Sequence, residues 1–265
     1  VLLVVRLGGD ESADGLDRDQ WQRVIVEAVH WLGPIRVCFR GAAAHSPYLV
    51  PLVRFANRLE CPTHLVTAGP LAPDLAMALV DAGLAAATVR IGSLDDRAHA
   101  DRTGTPLSET LASLDHLRKA REDRGRPLAL LAALCLASDT VGSLGAMAGL
   151  ARQTGVDGVL ASAPANVELP SGAGQAVAAL GEHDTHPALL GGGGRSSRRS
   201  LGLRLEVLPD GTLRTSRRLA PLGQWAQDQL QALWEAGGSN VTDALDLDRP
   251  ADEIERVPAV LYSTR

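Results

Sequence analysis

The chain is poor in aromatics, lysine and cysteine. Phe, Trp and Tyr make up 3% of its 265 residues, while apolar residues make up 45%. A core built from this set is aliphatic and finely packed, with few large rings to anchor it. Lys119 is the sole lysine, so 25 of the 26 basic residues are arginine, which reads as the coding bias of a GC-rich genome. Three cysteines (Cys38, Cys61 and Cys135) are far apart and odd in number. That excludes a disulfide framework and points to free thiols in a cytoplasmic protein. No apolar run approaches the roughly 18–20 residues that a membrane span needs. Net charge is −5 with no block of one sign, so neither nucleic acid nor a membrane surface is expected as partner. Val1 opens directly into an apolar stretch with no basic segment before it. No secretory signal is therefore expected, and the missing initial Met leaves room for a segment upstream.

What is present is regular. Val1–Leu7 (VLLVVRL) is a continuous apolar run, as in a strand buried on both faces of a parallel sheet. After the polar loop Gly8–Gly15, Trp21, Val24, Ile25, Ala28, Val29 and Leu32 keep the spacing of one helical face, which Gly33-Pro34 ends. Strands are expected at Arg36–Gly41, His64–Gly69, Ala87–Gly92, Leu128–Ala137 and Gly158–Ala163. Helices fall between them: one capped by Ser46 and opened by Pro47, one at Asp74–Ala82, one after Thr105-Pro106 with Leu107, Leu111, Leu114 and Leu117 on one side, and one from Asp139 to Thr154. Six strand–helix units of this kind mean parallel strands with crossovers. An open doubly wound sheet and an incomplete barrel both fit the pattern.

Beyond Pro164 the character changes. Ser171–Gly194 is rich in Ala and Gly. Leu203–Leu213 alternates and turns at Pro209-Asp210-Gly211, so a hairpin is expected. Gln224–Ala236 reads as a helix, and the tail from Val241 has no strong pattern. The boundary is placed near residue 170, giving a barrel-type domain over 1–170 and an auxiliary region with tail over 171–265.

Four stretches together resemble a known family. WQRVIVEAVHWLGPIRVCFRGAAAH (residues 21–45) is similar to the first helix and second strand of radical S-adenosylmethionine (SAM) enzymes, where the strand runs into Gly-Gly-Glu-Pro. HLVTAG (64–69) resembles their third-strand segment, and TVRIGSLDDRAHADRTG (88–104) their fourth. LRLEVLPDGTLRTS (203–216) and the helix after it resemble a SPASM-type auxiliary domain. The resemblance implies an incomplete parallel (β/α)6 TIM-type barrel with a small C-terminal α+β subdomain.

The departures fall on the chemistry. The family's CxxxCxxC loop holds three irons of a [4Fe–4S] cluster and leaves the fourth for SAM. Here that loop is GGDESADG, without cysteine. Gly41, Ala42, Ala43 and Ala44 stand where the family's motif meets the SAM amino group, and alanine supplies no carboxylate. No cysteine follows Cys135, so an auxiliary cluster has no thiolates. The resemblance thus implies a degenerate, cluster-free pseudoenzyme. It is expected to be a non-catalytic binding or scaffold protein in peptide or natural-product modification, partnered by a peptide or by an intact radical SAM enzyme. The alternative is an enzyme with non-radical chemistry that binds SAM or another small anion at the barrel mouth. No catalytic residue, metal site or [4Fe–4S] cluster is expected, and residual SAM binding is left open.

The candidate ligand residues at that mouth are Arg6, Arg40, Gly41, His45, Thr67, Gly69 and Arg90. Arg6, Arg40 and Arg90 fall near the C-terminal ends of strands, where parallel α/β folds bind ligands. Converging there, they would clamp a carboxylate or phosphate. Alternatively they pair with Asp10, Glu11, Asp95 or Glu168 and fill the space. His45 is either a general base or a solvated loop residue. His99 is expected to hold structure by hydrogen bonds. His183 and His186 lack a third metal ligand, and GGGGRSS (191–197) lacks the lysine and helix of a phosphate loop. Cys38 and Cys135 read as buried, and Cys61, before Pro62, as exposed.

Overall fold

The computed structural model describes residues 2–8, 15–162, 188–189, 204–215, 221–225, 230–233 and 260–263. In chain order its elements begin with β1 (Leu2–Leu7), α1 (Arg18–Leu32), β2 (Arg36–Gly41), α2 (Leu49–Arg58), β3 (Thr63–Thr67), α3 (Pro73–Asp81) and β4 (Ala86–Ile91). There follow α4 (Asp96–Thr103), α5 (Leu107–Arg124), β5 (Ala129–Cys135), α6 (Leu144–Thr154) and β6 (Gly158–Ser162). The later elements are β7 (Ala188–Leu189), β8 (Arg204–Val207), β9 (Thr212–Thr215), β10 (Gly223–Gln224) and β11 (Val260–Ser263). The chain is α/β, as the alternation of patterns requires. None of the described helices is long and apolar enough to cross a membrane.

Two compact units divide the chain. One comprises Val1–Leu65, Ala82–Leu84 and Leu201–Glu255, and the other Val66–Asp81, Ala85–Ser200 and Arg256–Arg265. The boundary expected near residue 170 lies outside the described residues.

In the first unit β1 pairs in parallel with β2, and β2 with β3. β8 also lies parallel to β1, on its other side. β8 turns at Pro209–Gly211 into the antiparallel β9, so the expected hairpin forms, and β10 pairs with β9. α1 starts at a capping box: the Gln20 N–H donates to the Asp17 carboxylate at 2.8 Å and the Asp17 N–H to the Gln20 side chain at 2.8 Å. Its buried face is Trp21, Val24, Ile25 and Ala28, the face the spacing predicts. Burying side chains of this size contributes about 1.5–3 kcal/mol each.

Two expectations in this unit are corrected. Ser46 does not cap α2. A 3-10 turn over Ala43–His45 uses up the chain before it, and α2 starts at Leu49 with Pro51 still in its first turn, where no N–H is missed. Gln224 does not start a helix either. With Gly223 it forms β10, and helix is described only at residues 230–233. Trp225 and Leu230 are buried. The Trp225 indole N–H donates to Glu27 of α1 at 2.8 Å, and the Leu230 N–H donates to the other oxygen of the same carboxylate.

In the second unit β4, β5 and β6 are parallel, and β11 pairs antiparallel with β6 and with β7. The sequence of the tail carries no pattern that announces β11. α4 was also not expected, because DRAHADRT has no apolar periodicity. It forms through its ends: Asp95 accepts from the Ala98 N–H at 2.8 Å and Gly104 closes it in the left-handed conformation. α5 buries Leu114 and Leu117 as expected, but its core face also includes Thr110 and Ser113. Ser113 accepts from the Leu71 N–H at 2.9 Å, so polar groups sit there because loop backbone needs partners.

Candidate functional site

The ends of β1 and β2 carry the densest set of expected residues. Arg6 and Arg40 are register partners in the parallel pair, each the next-to-last residue of its strand. They therefore project from the same face of the sheet, on neighbouring strands about 4.8 Å apart. Gly41 follows at φ 80°, and a Cβ there would stand 2.7 Å from the Leu7 carbonyl oxygen and 3.0 Å from Arg6 Cγ. Only glycine lets the two strand ends approach so closely. The chain then turns: Ala42 N–H donates to the Leu7 carbonyl at 3.1 Å, and His45 N–H to the Ala42 carbonyl at 2.9 Å. Ala43 is buried under this turn while His45 is exposed, as its reading as a solvated loop residue expects.

Among the described residues one of the arginines, Arg6, has a partner that was not expected from the sequence. Asp10, Glu11 and Glu168 lie outside the described residues. Arg6 pairs with Glu206 of β8, its Nε donating at 3.1 Å and a terminal nitrogen lying 3.0 Å from the same oxygen. Glu206 is in register with Val4 on β1 and with Arg214 on β9. On β3, His64 is in register with Cys38 of β2. Burial, and then the charges of Arg40 and Arg36, push the His64 pKa down to about 4, so its ring is neutral at neutral pH. The Nε of Arg40 and the Nε of Arg214 are both buried and have no hydrogen-bond partner among the described residues.

Glu206, Arg214, Arg36 and His64 were not among the residues expected to form a site. The alternation of LRLEVLPDGTL put Glu206 on one face of a hairpin strand, but nothing local could tell that β8 would lie beside β1. His64 stood in a recognised strand. Its value comes from its two arginine neighbours, which only the register shows.

Thr67, Gly69 and Arg90 belong to the second unit. Thr67 ends β3 and its Oγ1 accepts from the Gly69 N–H at 3.1 Å, a local turn that occupies the hydroxyl. Arg90 is exposed near the end of β4. His99 is fully buried and hydrogen-bonded through both ring nitrogens. Gly92 N–H donates to Nδ1 at 3.1 Å, so Nε2 carries the proton and faces Thr110 Oγ1 at 3.0 Å. Thr110 passes the chain on to the Ala68 carbonyl at 3.3 Å. Burial lowers the His99 pKa, in keeping with this structural role. Arg102 closes the same loop, donating to the Gly92 carbonyl at 2.7 Å and to both Asp139 oxygens at 2.7 Å.

A cluster of the family's type needs three thiolates on one loop. Residues 8–15 hold no cysteine. Cys38 is buried in the middle of β2, and Cys135 ends β5. Cys61 corrects an expectation: it is buried, not exposed. Its N–H donates back to the Ala56 carbonyl at 3.0 Å, and burial pushes the thiol pKa up. These positions do not offer the donor set of such a cluster. Among the described residues no group of three His, Cys, Asp or Glu is placed to hold a metal ion. His183, His186 and residues 191–197 lie outside them.

These elements define a class of fold: a mixed α/β chain of mostly parallel strands alternating with helices, similar to the TIM-type barrels of the radical SAM fold. The solved structures that share it include SuiB from Streptococcus suis (TM-score 0.64, 10% identity, 91% of this chain and 67% of that one). SuiB bound to S-adenosylmethionine matches over 80% of this chain and 57% of that one, with TM-score 0.60 and 10% identity. anSMEcpe with bound AdoMet matches over 89% and 81%, with TM-score 0.57 and 10% identity. This chain thus spans less than two thirds of the SAM-bound SuiB. No family model and no curated protein matches the sequence.

Proposed function

We propose that this chain is a binding or scaffold protein on a radical SAM fold that carries no iron–sulfur cluster and does not cleave SAM. One observation carries the reading. The Gly41–His45 segment is closed onto β1 through the Ala42–Leu7 bond, with Ala43 buried beneath it. It has the shape of a strand-end loop but no carboxylate to receive an amine. The cysteine-free loop before α1 supports the same reading, and so does the absence of cysteine after Cys135, which supports reading the C-terminal region as degenerate and SPASM-like. A peptide is the proposed partner, in peptide or natural-product modification. The likeness to SuiB supports it, since a solved SuiB structure holds the precursor peptide SuiA. An intact radical SAM enzyme is the second partner to test. Anaerobic reconstitution with iron and sulfide, then reduction in the presence of SAM, tests the reading: no 5′-deoxyadenosine is expected, and its formation at catalytic turnover overturns it.

A second reading, an enzyme of non-radical chemistry that holds SAM by its carboxylate, or a small anion, at the strand ends, is favoured by the buried, unpartnered Nε of Arg40. Calorimetric titration with SAM tests SAM as its ligand: saturable binding that Arg40→Gln abolishes supports the second reading, and no heat removes SAM from it.

A further inference from the structure

Among the described residues, one face of the first unit's sheet carries more positive than negative side chains. Across β9, β8, β1, β2 and β3 it carries Arg214, Glu206, Arg6, Arg40 and His64, placed by register. Arg36 lies on the same face of β2, two pairs of residues before Arg40. Glu206 is the carboxylate in this row and it is engaged by Arg6. Neither Arg40 nor Arg36 forms an ion pair with a carboxylate among the described residues. Like charges side by side on neighbouring strands destabilise a sheet, and a buried N–H without an acceptor loses its hydration with nothing in return. Arg40 bears both penalties: its register partner is Arg6, and its Nε is buried without a partner. An uncompensated group of this kind calls for a missing acceptor.

We propose that this face, centred on Arg40 between Arg6 and His64, binds an oxyanion, either a carboxylate or a phosphate. Arg40 presents the fork of donors that such planar or tetrahedral anions accept. Arg6 is held in place by Glu206 and adds charge at one side. His64, kept neutral by burial and then by the charges of Arg40 and Arg36, adds an imidazole ring at the other without adding to the repulsion. The proposal deepens the binding role above by naming the chemistry of what is bound, and rests on that reading for the view that the ligand is held and not turned over.

The test is calorimetric titration of the full chain with three probes: inorganic phosphate, succinate and the tripeptide glycyl-glutamyl-glycine. Saturation by phosphate alone assigns a phosphate ligand, by succinate alone a free dicarboxylate, and by the tripeptide an acidic peptide; each supports the site. Binding by the wild type should shift the Arg40 Nε–Hε resonance in a proton–nitrogen correlation spectrum. Arg40→Gln should weaken binding by at least about tenfold, equivalent to about 1.4 kcal/mol. Arg40→Lys, which keeps the charge and the fold if Arg40→Gln does not fold, should retain part of it. Glu206→Gln frees Arg6 and should tighten binding about threefold, within the range of a partly exposed ion pair. Silence of all three probes overturns the site, as does binding indifferent to both Arg40→Lys and Glu206→Gln. Those results leave the non-catalytic reading standing, whereas 5′-deoxyadenosine formation removes that reading and leaves the site.

Discussion

Glu206 on β8 accepts from Arg6 on β1 through one oxygen, at 3.1 Å from Nε and 3.0 Å from a terminal nitrogen. The two residues are 200 positions apart in the chain. Glu206 is mostly buried, at 12% exposure, and Arg6 is half exposed, at 47%. Solvent screens such a pair, so its contribution is modest. Glu206→Ala also removes the carboxylate in register with Arg214. Urea unfolding should show a loss of about 1 kcal/mol. A change within error would mean that the pair holds nothing in place.

Glu27 of α1 has a larger expected effect. Its carboxylate receives the Trp225 indole N–H at 2.8 Å and the Leu230 N–H. Glu27→Ala leaves two donors without an acceptor beside buried Trp225 and Leu230. The expected cost is about 2–3 kcal/mol. Glu27→Gln, which keeps one carbonyl, should cost less. Hydrogen exchange at Leu230 reads the effect locally, since its protection should fall further than that of the α1 amides.

Gly41→Ala tests the close approach of β1 and β2. At φ 80° an alanine is strained, and its Cβ meets the Leu7 carbonyl at 2.7 Å, a backbone atom that cannot swing away. A loss of about 2 kcal/mol or more is expected in thermal or chemical unfolding. Gly104 also has φ near 74° but faces open space, so Gly104→Ala should cost less.

His64 gives the stability a pH dependence of defined sign. Its folded pKa is about 4, below the ordinary 6.5, because burial and then Arg40 and Arg36 disfavour the imidazolium. The unfolded chain therefore binds the proton more readily. The stabilising term is fully present above pH 6.5 and is lost as pH falls from 6.5 to about 4. The loss across that window is of the order of 3 kcal/mol. His64→Asn should flatten the profile there, and Arg40→Gln should raise the His64 midpoint in an NMR titration. A midpoint near 6.5 in the wild type would contradict the burial of His64 beside the two arginines.

The strands were the legible part of this chain. RVCFRG gave β2 its observed limits, because its apolar centre, Val37–Phe39, is buried and Gly41 breaks the strand. The hairpin announced itself through Pro209-Asp210-Gly211. Structure made by hydrogen bonds at chain ends was harder to read. α4 has caps but no apolar stripe, and the 3-10 turn at Ala43–His45 displaced the start of α2. Of the site, the sequence showed Arg6, Arg40 and Gly41 at the ends of neighbouring strands. It hid Glu206, Arg214 and the setting of His64, since each depends on which strand lies beside which. Cys61 looked exposed beside Pro62, yet the turn after α2 folds it inward onto the Ala56 carbonyl.

The most direct measurement of the central claim is the iron and sulfide content of the protein after anaerobic reconstitution, set against a variant with Cys38, Cys61 and Cys135 all changed to serine. The account predicts that the two proteins retain the same residual iron and show no [4Fe–4S] absorption or paramagnetic signal after reduction. A cysteine-dependent [4Fe–4S] signature in the wild type would contradict it, since the positions of the three thiols leave no loop to hold such a cluster.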